Sequence, residues 1–499
     1  MKEDKFRCHP SIIVEKTWWI ISFLFFIMIT DIDNVKDMVL RSDFINMILI
    51  FFGGVAFLLF ILIYNTFIWY KTFISIEENT IIVQRDTINS KINTYGIKNI
   101  ANINLEQNVF ERIIGTYKIK IDTDSLSTAN TTDIEIILSR KDAYEFKYNV
   151  EKLMKLETIE YIEKQRDKLD YNDDNENRQY NYLHDEEIDY DIVFSINDIL
   201  KHCFYNFSIF GFMFSLGVFI FTLFIVTQGD EFGGTIPLLL IVITSLMSII
   251  KFFIGDLIKY YNFSIKRLED RLYISYGLLK KRKFTIPINR INAINIKQPI
   301  FCRIFKRYQV DISTIGVGDD ESEGSQILLC SKKENFVKYI NTLLPEFRVG
   351  EELILARQNK NYYKIKIAET ITVTMFISLI MYIIYKLNFG INISILVGIN
   401  IAVFSLLILI AYMSYITYGF HMEKENVAIS QGIFYKNISI IKYKKVQYIN
   451  IKKGPISSRF NLCHGEIYIL ASLGNEIKTI GYYDDVLFEE LKNKILSIV

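Results

Sequence analysis

Long apolar runs alternate with shorter segments of mixed polarity three times along this chain. The apolar runs come in pairs, at residues 17–30 and 47–69, at 206–227 and 234–257, and at 367–385 and 391–415. A helix needs about 20 consecutive apolar residues to cross the hydrocarbon core of a bilayer. The pattern therefore predicts six membrane-spanning helices in three hairpins, with every large polar segment on one side of the membrane.

After each pair of apolar runs the periodicity shortens. In the central copy, the segments 260–266, 271–279, 283–288, 292–298, 308–314 and 325–330 are short, rich in Ile, Tyr, Phe and Val, and separated by polar or Gly-containing turns, which is typical of strands. Residues 332–344 then place apolar side chains at helical spacing. Strands followed by one helix predict an antiparallel sheet whose open side the helix caps.

Three copies of this unit align on an alternating triplet. The triplets are Ile103-Asn104-Leu105, Ile294-Asn295-Ile296 and Ile449-Asn450-Ile451. Because side chains alternate along a strand, we expect the outer residues of each triplet to face the core and the Asn to face away. Two later positions also match: Gln107, Gln298 and Lys453, and then Arg112, Arg303 and Arg459, the last displaced by a one-residue insertion near Gly454. The repeat predicts three equivalent modules.

The predicted fold class is an α+β multi-pass membrane protein in which each transmembrane helical hairpin is followed by an antiparallel β module with a C-terminal helix. The predicted domains are an N-terminal segment with the first hairpin at 1–69, module 1 at 70–165, a linker at 166–200, the second hairpin at 201–259, module 2 at 260–345, a linker with the third hairpin at 346–416, and module 3 at 417–499. Residues 170–191 are acidic and rich in Asn, which predicts a flexible linker, with an acidic docking tail as the alternative.

Charge and cysteine content narrow the function classes. The chain carries 57 Lys+Arg against 56 Asp+Glu, so no global field would recruit nucleic acid. Lysines precede the hairpins, and this positive-inside tendency predicts a cytoplasmic-membrane protein with its modules facing the cytoplasm, although Lys386 falls in an outer turn. The widely spaced cysteines predict reduced thiols: Cys8, Cys203, Cys302, Cys330 and Cys463.

At this point the chain resembles the bacterial membrane-anchored pleckstrin-homology-like proteins of the YdbT-like family. The resemblance rests on the paired apolar runs, the lead-in Arg7-Cys8-His9-Pro10-Ser11, and the segment YGLLKKRKFTIPINRI at 276–291. It implies a pleckstrin-homology-like (PH-like) barrel of about seven strands with a C-terminal helix, and a role in membrane-associated binding or scaffolding. The resemblance carries over no catalytic residues. Copy one departs from it because its hairpin lacks the Gly found at Gly277 and Gly432.

The sharpest local charge cluster is a basic turn in the central copy, at Lys280, Lys281, Arg282 and Lys283. Near an anionic leaflet each such cation contributes about 1 kcal/mol, so this turn is a candidate site for anionic lipid headgroups. An ordinary polar hairpin turn is the alternative interpretation. A second basic group, Arg303 with Lys306 and Arg307, would suit a phosphate, or it would satisfy loop carbonyls as a recurring structural arginine.

Catalytic patterns are scarce in this sequence. No HExxH, Walker A, GxSxG or GxGxxG motif occurs, and the adjacent Cys463 and His464 would point to opposite faces of a strand. Lys251 and Glu369 lie near enough to span ends to snorkel. We therefore expect no enzyme, cofactor or metal, and a scaffold that binds the bilayer, lipid headgroups, peptides or a membrane-protein partner. The alternatives are a component of a transport or export system and a lipid-modifying enzyme.

Overall fold

A computed structural model describes residues 4–30, 44–77, 79–87, 89–123, 134–166, 189–227, 243, 246–247, 251, 254–314, 325–347, 355–387, 392–471 and 474–497. Two predicted features lie mostly outside these residues: the apolar helix at 234–257 and the acidic linker at 170–191. The chain forms two compact units. The first comprises Met1–Asp191, Phe210–Tyr260 and Ser275–Thr285, and the second comprises Ile192–Ile209, Tyr261–Ile274 and Ile286–Val499.

The strands are short, as the alternating segments predict. They are β1 Asp4–Phe6, β2 Thr72–Glu77, β3 Thr80–Arg85, β4 Lys91–Gly96, β5 Ile100–Gln107, β6 Thr116–Thr123, β7 Ile134–Ser139, β8 Ile192–Val193, β9 Ser264–Leu268, β10 Arg271–Tyr276, β11 Lys281–Pro287, β12 Ile291–Gln298, β13 Arg307–Thr314, β14 Gln326–Lys332, β15 Ala356–Arg357, β16 Gly419–Met422, β17 Asn426–Gln431, β18 Lys436–Lys442, β19 Val446–Lys452, β20 Leu462–Ala471 and β21 Gly474–Asp484. The six strands predicted for the central copy are confirmed as β9 to β14.

The helices fall into a long apolar class and a shorter amphipathic class. They are α1 Ser11–Thr30, α2 Phe44–Tyr70, α3 Val109–Ile114, α4 Arg140–Arg166, α5 Ile196–Tyr205, α6 Ile209–Thr227, α7 Ile300–Ile304, α8 Lys333–Leu343, α9 Tyr362–Lys386, α10 Ile393–Thr417, α11 Pro455–Ser458 and α12 Asp485–Leu496. Among the described residues, three helical stretches are long and apolar enough to cross a membrane: Phe52–Tyr70, Tyr362–Lys386 and Ile393–Thr417. These stretches support a membrane location.

The first unit contains the strands of the first copy. Strands β1 to β4 form one antiparallel sheet in sequence order. Strands β5, β6 and β7 pair in turn, and β5 also pairs with β11, which comes from the second copy. The core of this unit includes Ile103 and Leu105 of the triplet, together with Phe146 and Val150 from α4. The predicted inward-facing pair of the first triplet is confirmed.

The second unit contains a seven-stranded sheet built from two copies. Its strand order is β14-β13-β12-β18-β17-β16-β15, so β12 of the second copy lies beside β18 of the third. A separate sheet follows in the order β19-β20-β21. Helix α12 contributes Phe488 and Leu491 to a core that also contains side chains of β17, β18, β20 and β21. Helix α8 ends the second copy and buries Phe336, Ile340 and Leu343.

Each copy therefore divides its strands in the same way. Along the described chain, four strands precede a short 3-10 turn, three strands follow it, and a helix comes last. The turns are Ile97–Asn99, Ile288–Arg290 and Tyr443–Lys445. In each copy the first of the four strands precedes the apolar helices and returns to pair with the strand after them, as β1 with β2, β8 with β9 and β15 with β16. The seven strands and final helix implied by the resemblance are present.

Candidate functional site

The first candidate site is the joint where β5 of copy one pairs with β11 of copy two, inside the first unit. The pairing is antiparallel and sets Gln107 opposite Lys281 and Leu105 opposite Lys283. Copy one therefore continues into copy two through main-chain hydrogen bonds between strands. The basic turn that the sequence singled out lies at the start of β11, on this joint.

The second joint repeats this arrangement between copies two and three, inside the second unit. Strands β12 and β18 pair antiparallel, with Gln298 opposite Lys436 and Ile296 opposite Ile438. Gln298 holds the same place in its copy as Gln107, and Ile296 the same place as Leu105. Both joints therefore use one register, which makes the pairing a property of the repeat.

A buried carboxylate organises the basic turn at the first joint. Glu106 on β5 is only 2% exposed, and its carboxylate lies 2.8 Å from the Lys280 ammonium. Arg282 and Lys120 lie 3.8 and 3.5 Å from the same group. Three cations surrounding one buried carboxylate form a compact ion-pair network, because an unpaired buried charge would be costly. Two of the four predicted headgroup ligands thus contact a side chain of copy one.

Another of the predicted ligands is engaged inside the same unit. Lys283 is buried, donates to the Tyr144 hydroxyl at 2.9 Å, and places its ammonium 5.3 Å from the centre of that ring. Two residues later on β11, the Thr285 hydroxyl lies 2.9 Å from the Lys147 ammonium of α4. Lys281 differs, because no carboxylate in the described part of the chain pairs with it. Headgroup binding at this turn stays a prediction, now centred on Lys281.

The recurring arginines clamp the turn of the next copy. Arg112 of copy one donates through Nη2 to the carbonyl oxygen of Leu278 at 3.0 Å. Arg303 of copy two donates through Nη1 to the carbonyl oxygens of Ile433 and Phe434 at 3.0 and 3.4 Å. The interpretation of these arginines as partners for loop carbonyls is confirmed. Burial lowers the pKa of Arg303 from its ordinary value, yet the guanidinium stays charged at any pH the protein meets.

Two glycines shape the turns that these arginines hold. Gly277 and Gly432 have φ angles of 114° and 125°, a region that L side chains rarely adopt. A Cβ at Gly277 would lie 1.9 Å from the carbonyl oxygen of Lys280, and one at Gly432 would lie 2.2 Å from that of Tyr435. Glycine is therefore required in both turns, and the carbonyl oxygens that the arginines bind come immediately after it.

A polar network crosses the second joint. Asn295 donates to Ser313 Oγ at 2.8 Å, and its Oδ1 accepts from Ser439 and from the Lys478 ammonium, each at 2.7 Å. Lys478 is 1% exposed and pairs with Glu476. Burial lowers the pKa of Lys478, because removal from water disfavours the ammonium form. One Asn of copy two therefore binds two side chains of copy three.

The three-fold repeat agrees with a comparison against known families. The family model described as the bacterial PH domain matches residues 24–154, 215–342 and 370–496, which together are most of the chain. The chain belongs to the bacterial PH domain family. Each matched range begins within or near the apolar helices and ends in the final helix of a copy.

A curated relative shares part of the sequence. The UPF0699 transmembrane protein YdbT of Bacillus subtilis (strain 168) is 33% identical over 100 residues, which cover 19% of this chain and 20% of that protein. The match spans about a fifth of the relative's length. Its description as a transmembrane protein agrees with the three apolar helices in the described part of this chain.

Nucleophilic chemistry finds little support at the Cys463 and His464 pair of this bacterial PH protein. Burial raises the pKa of the Cys463 thiol to about 11, and its hydrogen bond to Asp485 Oδ1 at 2.7 Å acts in the same direction. The thiol therefore stays protonated near neutral pH, whereas nucleophilic attack needs the thiolate. His464 lies elsewhere, with its ring 5.2 Å from that of Tyr482. Among the described residues, no cluster of His, Cys, Asp and Glu has the makings of a metal site.

Reasoning from the sequence missed Glu106 and the role of the triplet asparagines. Asn104 and Asn295 face away from the core of their own sheet, as alternation predicts, yet both are buried. A lone Glu in a strand that is otherwise apolar or amide-bearing was the available signal for a charged partner. Nothing in the local pattern said that the partner would be the basic turn of the next copy.

Proposed function

We propose that this chain is a non-catalytic scaffold of the cytoplasmic membrane whose PH-like repeats bind partner proteins. The observation that carries the proposal is the repeated joint, in which a strand edge and an arginine of one copy receive the hairpin of the next. Strand addition of this kind gives affinity through main-chain hydrogen bonds and specificity through the side chains beside them. The repeat is thus built to bind a hairpin of the same kind as its own.

The membrane arrangement that we propose is three hairpins with all modules in the cytoplasm. Within the third hairpin, Asn400 of α10 donates to Ser378 Oγ of α9 at 2.9 Å, a polar contact that supports packing of two spans against each other. Lys364 and Lys366 lie at the start of α9, which fits a cytoplasmic entry. The final helices, of which α8 is the example in copy two, would cap the open side of their modules.

Polar contacts in the third hairpin also bear on the transport alternative. The Asn400 amide and the Ser378 hydroxyl satisfy each other, and Glu369 pairs with Lys366 at 2.6 Å near the helix start. Groups that pair in this way serve anchoring and packing, whereas a transport path needs polar groups that face a substrate. These contacts favour the scaffold over a component of a transport system.

Anionic headgroup binding is a second candidate function, favoured by the charge at the first joint. Three cations surround Glu106, and Lys281 adds another without a described carboxylate partner. The excess positive charge would attract an anionic leaflet, at about 1 kcal/mol for each cation close to the surface. This role would orient the repeat on the membrane and is compatible with protein binding.

A photo-crosslinking experiment on the full chain in its native membrane tests the scaffold. A photoreactive amino acid replaces Tyr448 on β19, which is 50% exposed, and a control chain carries it at Val486 on α12, which is 78% exposed. The scaffold predicts a defined protein adduct at position 448 that the control lacks and that Arg459→Ala reduces. Adducts with lipid alone, or the same adducts at both positions, would overturn the proposal.

A further inference from the structure

One strand of the first copy and one strand of the third copy correspond to strands that pair at the two joints, but they do not pair with another copy in the described part of the chain. Strand β4 is the last strand of the sheet β1-β2-β3-β4, and β19 is the first strand of the sheet β19-β20-β21. In the part of the chain that the structure describes, no strand pairs with the outer edge of either. Ile92 on β4 is 60% exposed and Ile451 on β19 is 42% exposed, whereas Ile296 and Ile438, which meet at the second joint, are buried.

The two exposed residues hold the same repeat positions as the residues that meet at the joints. Ile451 closes the third triplet, in the place that Leu105 and Ile296 hold in theirs. Ile92, like Lys283 and Ile438, lies five residues before the 3-10 turn of its copy. Since Leu105 pairs with Lys283 and Ile296 with Ile438, the matching third pair would be Ile451 with Ile92.

The hydrogen bond that Arg112 and Arg303 make to the turn of the next copy has no counterpart at Arg459 in the described part of the chain. Arg459 corresponds to Arg112 and Arg303, is exposed, and has no hydrogen-bond partner for its guanidinium among the described residues. The carbonyl oxygen that corresponds to those of Leu278 and Ile433 is that of Thr87, which lies ten residues before its 3-10 turn, as they do. Copy three therefore offers a strand edge and an arginine, and copy one offers a hairpin.

We propose that two copies of this chain bind head to tail, with β19 and Arg459 of one chain receiving the β3–β4 hairpin of the other. The proposal rests on the proposed scaffold function and names the partner as a second copy of the chain. Such an interface is heterologous, because it joins two different surfaces and leaves one of each free to bind further chains. The new joint would use the register of the two existing joints, with Ile451 opposite Ile92.

A second copy fits this edge better than an unrelated strand. Both complementary halves occur in one chain, at matching register and with matching arginine, and the two existing joints show that such halves bind. One contact opposes the pairing, because Lys452 would face Lys91 of the other chain. The Lys452 ammonium is already paired with Glu466 at 2.7 Å, which reduces the repulsion. Lysines on edge strands discourage indiscriminate pairing, so the contact also restrains aggregation.

Disulfide trapping between two differently tagged full-length chains tests the register. One chain carries Ile92→Cys and the other Ile451→Cys, and both are produced in the same membrane. The isolated membranes are then treated with a mild oxidant, which takes up the two electrons released when the two thiols form a disulfide. Opposed residues in antiparallel strands have Cβ atoms about 5 Å apart, which is within reach of a disulfide after small adjustment. The proposal predicts a mixed disulfide dimer in the co-expressed pair and none between two Ile92→Cys chains or two Ile451→Cys chains.

Two further variants check the clamp and the charge contact. Arg459→Ala removes the charge-assisted hydrogen bond and should lower the yield of the mixed dimer about tenfold. Lys492→Ala on α12 is the matched control and should leave the yield unchanged. Lys91→Glu turns the opposing lysine pair into an attractive one and should raise the yield.

The outcomes separate this inference from the scaffold function. Absence of the mixed dimer, or equal yields of mixed and like dimers, would overturn head-to-tail pairing. If the position 448 crosslinker then still captures a different protein in an Arg459-dependent way, the scaffold proposal stands and only the identity of the partner is wrong. If neither experiment yields a protein product, both proposals fall.

Discussion

The guanidinium of Arg303 donates a hydrogen bond to the carbonyl oxygen of Ile433 at 3.0 Å, and so binds the turn of the third copy to the second. Arg303→Ala should lower the free energy of unfolding by about 1–3 kcal/mol, because the carbonyl loses a charged donor. Thermal unfolding in detergent measures the change. Arg459→Ala is the matched control, since its guanidinium has no described partner within the chain, and it should change the stability of the isolated chain little. Equal losses in the two variants would contradict this account of the clamp.

Glu106 should be the most sensitive charged residue of the first joint. Glu106→Gln leaves Lys280, Arg282 and Lys120 without their shared carboxylate and should cost about 3 kcal/mol of stability, as expected when one partner of a buried ion pair is removed. The neighbouring Glu135 on β7 is exposed, so Glu135→Gln should stay within about 0.5 kcal/mol of the wild type. A small effect of Glu106→Gln on unfolding would show that the network is dispensable.

Gly432 and Gly474 both have a positive φ, but they differ in the space available for a Cβ atom. Gly432→Ala should destabilise by about 3 kcal/mol or more, because its Cβ would collide with the Tyr435 carbonyl oxygen in addition to the strain of a positive φ. Gly474 has a φ of 101°, yet its Cβ would meet no described atom within 4 Å, so Gly474→Ala should cost about 1 kcal/mol. Similar unfolding free energies for the two variants would contradict the collision.

The buried Lys478 predicts a pH dependence of stability. Its pKa is lowered in the folded state, so between that pKa and the ordinary lysine value the unfolded chain binds more protons. The contribution of Lys478 to stability should therefore rise as pH increases through this window. The stability difference between wild type and Lys478→Met should shift in favour of the wild type as the pH rises toward the ordinary lysine pKa of about 10.4. A constant difference across that range, measured by urea unfolding, would mean that the ammonium is not desolvated.

Lipid binding at the basic turn should depend mainly on Lys281. The full chain in nanodiscs that contain anionic lipid should lose headgroup contacts, seen by lipid crosslinking or native mass spectrometry, when Lys281 is replaced by Gln. The expected loss is modest, about 1 kcal/mol. Lys444→Gln on the third 3-10 turn serves as the charge-matched control. Equal lipid retention by wild type and Lys281→Gln would remove the headgroup role from this site.

Local pattern predicted the strands and helices well, and it predicted the joints poorly. The triplet Ile294-Asn295-Ile296 predicts a strand because apolar and polar side chains alternate between neighbouring residues. Helix α8 is predicted in the same way, from the helical spacing of its apolar residues. The strand that lies beside Asn295 comes from more than 140 residues away, at Ser439. No periodicity encodes that partner, because any strand edge offers the same main-chain groups. Glu106 and the recurring arginines indicated that charged groups would be bound elsewhere in the chain. Their partners could be named only once the pairing register of the strands between copies was known.

The division of each copy into four strands and then three makes neighbouring copies depend on each other for their sheets. The sequence repeat runs from a lead-in strand to a final helix, whereas the large sheet of the second unit takes its strands from the end of copy two and the beginning of copy three. The sheet of the second unit therefore crosses the boundary between two copies, whereas the hydrophobic core of copy one lies within that copy. Cutting the chain between copies would split that sheet at β12 and β18, and adding a copy would always recreate the same two open ends. A protein of this design can lengthen by whole repeats without inventing a new interface.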